Sequence, residues 1–368
     1  MPKLLFVTTY PFYPEAAGGS EQSALYLLKS LQQLGWQIEV LCKLSSLRSP
    51  YFRRACWQGL IRFQNLSCCV RDEDLGYPCW RQISLFRKER HWLKSIDQHL
   101  EEYQPDIVLS HNGATAPFVN YVACQGYPSF YFGRWLEEFD AGFVIPDALH
   151  PIANSPFTAS HIAQFTRNEV GVVLPFIALD KYRVTKRDRQ YITFINPIPE
   201  KGVDVAIEIA HRLPDERFLF VKGNWGSYSA SSIEAFMKPI YKLPNVEVWN
   251  HQRDMRQVYA VTDILLVPSQ FDETFGRVIV EAQVNGIPVV AANVGGIPYT
   301  LGQGGILVEP KDKPQVYVDA LLHLRTDENL YRHLSALALE NSQRPEFKPQ
   351  QQVKNFIRFV ESRTKVTA

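Results

Sequence analysis

The sequence predicts an α/β protein of two similar domains built on open parallel sheets, and three observations lead there. At 368 residues the chain exceeds one ordinary domain and fits two. Apolar, β-branched runs at residues 3–9, 37–41, 191–195, 264–267 and 287–292 alternate with helical patterns, as in repeated βαβ units. Polar or glycine-bearing loops follow the carboxyl ends of these runs, where ligands of open parallel sheets bind.

Composition narrows the function classes. Lys plus Arg number 39 against 38 Asp plus Glu, a balance that argues against a general nucleic-acid binder. No run approaches the ~18 apolar residues of a membrane span. The first nine residues read as a strand without a signal-peptide cleavage site, so the expectation is a soluble, cytoplasmic protein. The six cysteines (Cys42, Cys56, Cys68, Cys69, Cys79, Cys124) show neither a CxxC nor a His partner at zinc spacing and read as reduced thiols. No metal site is expected.

In the first half, strand 3–9 leads through a loop with Pro11 and Pro14 to Gly18, Gly19 and Ser20. A helix follows over 21–34, apolar at Leu25, Leu28 and Leu31, then strand 37–41. The glycine pair lets backbone approach a phosphate or sugar closely, or serves only as a flexible turn. Over residues 43–94 the pattern degrades. Eleven Lys or Arg stand there against four Asp or Glu, with eight aromatics among them. That mixture suits an anionic membrane face or an anionic acceptor. The favoured reading is loops and one helix, 83–103, with solvated charges and core aromatics. Strand 105–111 delivers His111, then Asn112 and Gly113, to its carboxyl end. A lone His is usually structural. Strand 129–132 precedes an acidic loop (Glu137, Glu138, Asp140) that either meets an acceptor or is simply exposed. Strand 152–155, a helix from 156 and strand 170–174 complete this half.

The second half opens with strand 191–195, a loop from Asn196 to Gly202 and helix 203–213. Lys201 sits on that loop like a phosphate-binding point charge. Strand 218–222 leads into Gly223, Asn224 and Trp225, and strand 246–249 and helix 255–261 follow. The most informative stretch, 263–310, then reads as strand, polar loop, helix and strand, ending in Gly295 and Gly296. Glu273 lies where the loop becomes helix, and Glu281 eight residues later, a helical rise of roughly 12 Å. Carboxyls so far apart suit two ends of one long ligand better than one bond, since paired glycosidase carboxyls sit ~5 to 9.5 Å apart. Between them the N–H groups near Phe275, Gly276 and Arg277 favour a phosphate. Two solvated surface charges are the alternative. Helices at 314–324, 329–339 and 349–362 close the chain.

Glu273, Thr274, Phe275 and Gly276, followed by Glu281, the Gly286–Val290 stretch and the Gly295, Gly296 pair, resemble the Glu-x7-Glu signature of retaining GT-B glycosyltransferases of family 4. Pro199, Glu200, Lys201 and Gly202 resemble the same family's Pro-Glu-Lys-Gly. The resemblance implies two Rossmann-like domains facing across a cleft, here 1–177 and 178–348, with a C-terminal helix (349–368) returning to the first. It implies transfer of a sugar from a nucleotide-diphosphate donor to an acceptor hydroxyl, with retention and without a metal or other cofactor. A sugar-nucleotide epimerase, a phosphorylase or a weakly active sugar-nucleotide-binding subunit is the alternative. Glu273 with Phe275 and Gly276 would hold the sugar, and Lys201 and the helix tip the diphosphate. Glu281 would hold the ribose, and His111 and Gly19 would approach from the other domain, with Asn196 and Gly223 lining the donor site. The acceptor would be a sugar, a lipid-linked glycan or a small molecule, and the basic 43–94 stretch would touch the inner membrane face. Two departures stand out. Ile195 and Asn196 replace the family's Gly-Arg, leaving Arg277 to supply the second cation, and Tyr299 stands where Glu is common.

Overall fold

In the computed structural model the chain divides into two compact units, Met1–Phe176 with Pro349–Ala368, and Ile177–Lys348. The structure describes all residues except 17, 59–60, 65–66, 85–87, 112–115, 135, 137–138, 140–141, 224–227, 365 and 367–368.

The first unit holds, among the described residues, a nine-stranded sheet in the order β3-β4-β5-β2-β1-β6-β7-β8-β9. The strands are β1 (Lys3–Pro11), β2 (Gln37–Lys43), β3 (Ile61–Gln64), β4 (Ser67–Asp72), β5 (Cys79–Ser84), β6 (Ile107–His111), β7 (Ser129–Gly133), β8 (Leu149–Ala153) and β9 (Gly171–Val172). Strand side chains alternate between faces, and helices cover both, so the central strands are apolar throughout. Leu4 and Phe6 pack with Leu27, Leu28 and Leu31 of the Gly19–Gln33 helix and with Phe356 and Val360 of the Pro349–Glu361 helix. Leu5 and Val7 face the other way, onto Trp92, Ile96 and Leu100 of the Lys88–Tyr103 helix. The final helix is also tied by polar contact: the Leu174 amide donates to Gln352 Oε1 at 2.8 Å.

The expectation of loops and one helix over 43–94 is corrected here. A helix spans Pro50–Gln58, β5 runs parallel to β2, β4 and β3 add an antiparallel hairpin, and the next helix begins only at Lys88. Ile83 is therefore a strand residue. The short strands hid their periodicity because Arg81 and Asp72 occupy buried positions that normally carry apolar residues. The Ala116–Cys124 helix also escaped the sequence reading.

The second unit has, among the described residues, a six-stranded sheet in the order β12-β11-β10-β13-β14-β15, parallel throughout. Its strands are β10 (Tyr191–Ile195), β11 (Phe218–Val221), β12 (Val246–Trp249), β13 (Thr262–Val267), β14 (Val289–Ala292) and β15 (Gly305–Val308). From β10 the order runs outward to β11 and β12, and from β13 it runs the opposite way. The crevice at the carboxyl ends of β10 and β13 is thus a topological switch point, where ligands of such sheets bind. By the same logic the first unit has its switch point between β1 and β6.

Candidate functional site

Two loops meet at the β10/β13 switch point. Asn196 leaves β10 at φ +69°, a left-handed conformation that Asn tolerates better than most residues, with its amide donating to the Val221 carbonyl at 2.9 Å. A short 3-10 turn, Pro199–Lys201, ends at Gly202, φ +82°. A Cβ on Gly202 would lie 2.0 Å from the carbonyl oxygen of Pro268, the residue after β13, so only glycine lets the loops pack this closely. The Gln270 amide also donates to the Glu200 carbonyl at 2.9 Å.

This packing brings Lys201 and Glu273 together as an ion pair, their side chains 20% and 15% exposed. The Lys201 ammonium also sits 4.7 Å from the centre of the Phe271 ring, and the Ser269 hydroxyl donates to Glu273 Oε2 at 3.4 Å. Gly295 and Gly296 brace the acid from behind. Cβ atoms there would lie 2.5 Å from the Glu273 carbonyl oxygen and 2.4 Å from that of Thr274. The Gly296 amide donates to Glu273 O at 2.6 Å.

One expectation about geometry is corrected. The helix runs only Arg277–Gln283, with Gly276 as its left-handed N-cap at φ +79°. Glu273 therefore stands on the loop, and the rise of a continuous helix does not measure its separation from Glu281. The Phe275 side chain belongs to the core, 2% exposed and edge-on to Phe347 at 5.9 Å. Only its backbone faces the loop chemistry. Among the described residues the amides of Phe275 and Gly276 donate to no backbone carbonyl.

Glu281 is buried, its side chain 8% exposed. The Tyr259 hydroxyl donates to its Oε2 at 2.9 Å, and Arg277 Nη2 lies 3.5 Å from its Oε1 and donates to the Tyr182 hydroxyl at 3.5 Å. Burial and the Glu281 charge push the Tyr182 phenol up to about 12 and the Tyr259 phenol well above its usual range, so both remain protonated donors. Each glutamate of the spaced pair therefore has its own cation. Sequence reasoning missed both tyrosines. Tyr182 lies 95 residues before Arg277, and nothing local marks it.

In the first unit, Gly18 caps the Gly19–Gln33 helix, and a Cβ there would lie 2.6 Å from Glu21 Oε2. Arg134, just after β7, donates to the Ser20 carbonyl at 2.7 Å. His111 ends β6, 1% exposed, with Phe6 edge-on at 5.0 Å. Neither ring nitrogen has a hydrogen-bond partner among the described residues. Burial, reinforced by the Arg134 charge, holds the imidazole well below its ordinary value and favours the neutral ring, which carries one donor and one acceptor.

His111 and Gly19 thus belong to one unit. Lys201, Glu273, Arg277, Glu281, Asn196 and Gly223 belong to the other, Gly223 following close after β11. Asn112, Gly113, Glu137, Glu138, Asp140, Asn224 and Trp225 lie outside the described residues. No group of three or more His, Cys, Asp or Glu side chains arranged to hold a metal occurs among the described residues.

Residues 189–327 match the family described as Glycosyl transferases group 1. The D-inositol 3-phosphate glycosyltransferase of Segniliparus rotundus is 29% identical over 265 residues, covering 65% of this chain and 58% of that protein. The enzyme of the same name from Mycobacteroides abscessus is 36% identical over 143 residues, covering 37% and 32%. The chain therefore spans less than two thirds of the length of these curated relatives. Sucrose-phosphate synthase from Thermosynechococcus elongatus shares the fold at a TM-score of 0.78 and 16% identity, covering 98% of this chain and 99% of the other. Anabaena HepE, in complex with UDP-glucose, does so at 0.74 and 17%, covering 98% and 99%.

Proposed function

We propose that this chain, whose residues 189–327 match the Glycosyl transferases group 1 family, is a GT-B glycosyltransferase that moves a hexose from a nucleotide-diphosphate sugar to an acceptor hydroxyl. The observation that carries the reading is the Lys201–Glu273 ion pair at the β10/β13 switch point, with Arg277 and Glu281 paired on the helix that follows. A donor satisfies both members of the first pair at once. A sugar hydroxyl donates to Glu273, and a diphosphate oxygen accepts from Lys201. As the bond from the anomeric carbon to the phosphate oxygen breaks, its electron pair stays on that oxygen; the acceptor oxygen bonds to the anomeric carbon, its proton passes to the departing diphosphate, and Lys201 stabilises the charge where it develops. Arg277 is the second cation in this reading, standing in for the arginine that Asn196 replaces.

Glu281, oriented by Tyr259, takes the ribose hydroxyls. In the first unit, His111 and the Gly19 backbone serve a sugar hydroxyl. Retention at the anomeric carbon and independence of metal belong to the same proposal, supported by the resemblance of residues 273–281 to the Glu-x7-Glu signature and by the cations at the switch point. The acceptor class is a sugar, a lipid-linked glycan or a small molecule.

Membrane contact at the cytoplasmic face is the further part of the reading. The Pro50–Gln58 helix presents Trp57, 91% exposed, beside exposed Arg53. No helix of the described residues is long and apolar enough to cross a membrane. Cosedimentation with anionic vesicles should fall in Trp57→Ala, and equal binding by both proteins would remove this contact.

The central test is turnover. Purified protein is screened by thermal shift and by donor hydrolysis against UDP-glucose, GDP-mannose, ADP-glucose and dTDP-glucose. Glu281→Ala should weaken the binding of whichever nucleotide is recognised. A protein that neither binds nor turns over any of these donors refutes the assignment. NMR of the first product formed reports the anomer, and activity in chelator reports on metal.

A further inference from the structure

Among the described residues Arg81 is the largest fully buried side chain of the first unit, at 0% exposure, and it lies in the basic 43–94 stretch. A guanidinium there needs a reason, because an uncompensated buried charge is strongly destabilising. Its partners supply one. Nε donates to Asp72 Oδ2 at 2.6 Å, which anchors the group to the neighbouring strand β4. The remaining polar contacts go elsewhere. Nη1 donates to the Phe12 carbonyl at 3.3 Å, Nη2 donates to the Tyr13 carbonyl at 3.1 Å, and Nη1 lies 3.6 Å from Glu15 Oε2. The Tyr51 ring closes over the guanidinium carbon at 4.0 Å.

Phe12, Tyr13 and Glu15 belong to one short loop, the one that carries the chain from β1 to Gly18 and Gly19. Glu15 is held a second time, by the Ser45 hydroxyl at 2.5 Å and the Ser45 amide at 3.3 Å. Phe12 is itself buried and packs on Phe6 at 5.3 Å, and Phe6 is the ring that His111 meets edge-on at 5.0 Å. Arg81 therefore reaches the packing around His111 through two aromatic contacts. A planar fork can hold two successive carbonyls and two carboxylates together, whereas a lysine is a single point charge.

We propose that Arg81 is a positioning residue for glycosyl transfer. From the β2–β5 side of the sheet it fixes residues 12–15, and so sets where the Gly18, Gly19 turn and the His111 ring stand at the β1/β6 switch point. Strands β4 and β5 are then part of the scaffold of the glycine loop. The inference rests on the transferase reading above, and its test separates the two.

Arg81→Lys and Glu15→Gln are compared with the wild type. Glu15→Gln leaves the Arg81–Asp72 contact intact and guards against a variant that simply fails to fold. Three readouts are taken: kcat and KM with the donor that the wild type turns over, dissociation constants for the matching free nucleotide, and hydrogen–deuterium exchange of peptides covering residues 12–23. The expected result is kcat lowered roughly ten- to a hundredfold, the order expected of a small misplacement. Exchange over 12–23 should be faster, and nucleotide affinity unchanged because that site lies in the other unit. Wild-type kcat and exchange in both variants would overturn the proposal. So would an equal loss of nucleotide binding, which would mark general structural damage. A wild type inactive with every donor defeats the transferase reading alone, while the exchange measurement still decides whether Arg81 holds the loop.

Discussion

Lys201 and Glu273 form a pair that neither residue's neighbours in sequence would require, and each leaves the other half-satisfied when removed. Lys201→Met should lower kcat roughly 10²- to 10³-fold, the usual effect of deleting one group that stabilises developing charge, with a smaller change in nucleotide affinity. Steady-state kinetics with isothermal titration checks this, and an unchanged kcat would move the diphosphate elsewhere. His111 carries a different expectation. Its folded pKa lies below the ordinary 6.5, so both states are neutral above that value and the residue adds no pH dependence there. As pH falls below 6.5 the unfolded chain binds a proton that the folded chain refuses, so stability drops until the folded pKa is passed. His150, held low by burial and by Arg363, adds to the same slope. Unfolding midpoints measured from about pH 7.5 down to about pH 5 should therefore decline in the wild type and decline less in His111→Phe.

Glycines set the contacts between elements at the second unit's switch point. Gly202 and Gly35 both have positive φ, +82° and +89°, but a Cβ on Gly35 meets nothing within 4 Å, whereas on Gly202 it collides with the Pro268 carbonyl. Gly35→Ala should show backbone strain alone, about 1 kcal/mol, and Gly202→Ala strain plus displacement of one loop from the other, on the order of 3 kcal/mol or more. Urea unfolding separates the two, and equal losses would show that the loops are free to part. The same scale shows what could be read from sequence. β10 and β13 follow directly from apolar runs, because each lays a nearly continuous buried strand in the core, whereas the Pro349–Glu361 helix was expected from the family resemblance. Strands β4 and β5 did not follow, since Arg81 and Asp72 place a buried ion pair where that pattern would need apolar side chains.

The whole molecule consists of two units with separate hydrophobic cores. Calorimetry should resolve two transitions, and a bound nucleotide should raise only the one belonging to residues 177–348. At about 100 times its dissociation constant the ligand adds about 2.7 kcal/mol to that unit. Removing residues 349–368 should lower the other transition, because Phe356, Val360 and Gln352 cover and pin the sheet of the first unit. A single transition that shifts as one with either treatment would contradict this division.

From sequence alone came the α/β class, most strands and helices of the second unit, the glycine loops at the carboxyl ends of strands, and the spaced glutamates, because periodicity, turn chemistry and motif spacing are local properties of a chain. Which residues meet was decided only in three dimensions. Strand order placed Lys201 against Glu273, Tyr259 on Glu281 and Arg81 beneath the loop of Phe12 to Glu15. Each contact joins residues far apart in sequence, through packing that no local pattern encodes.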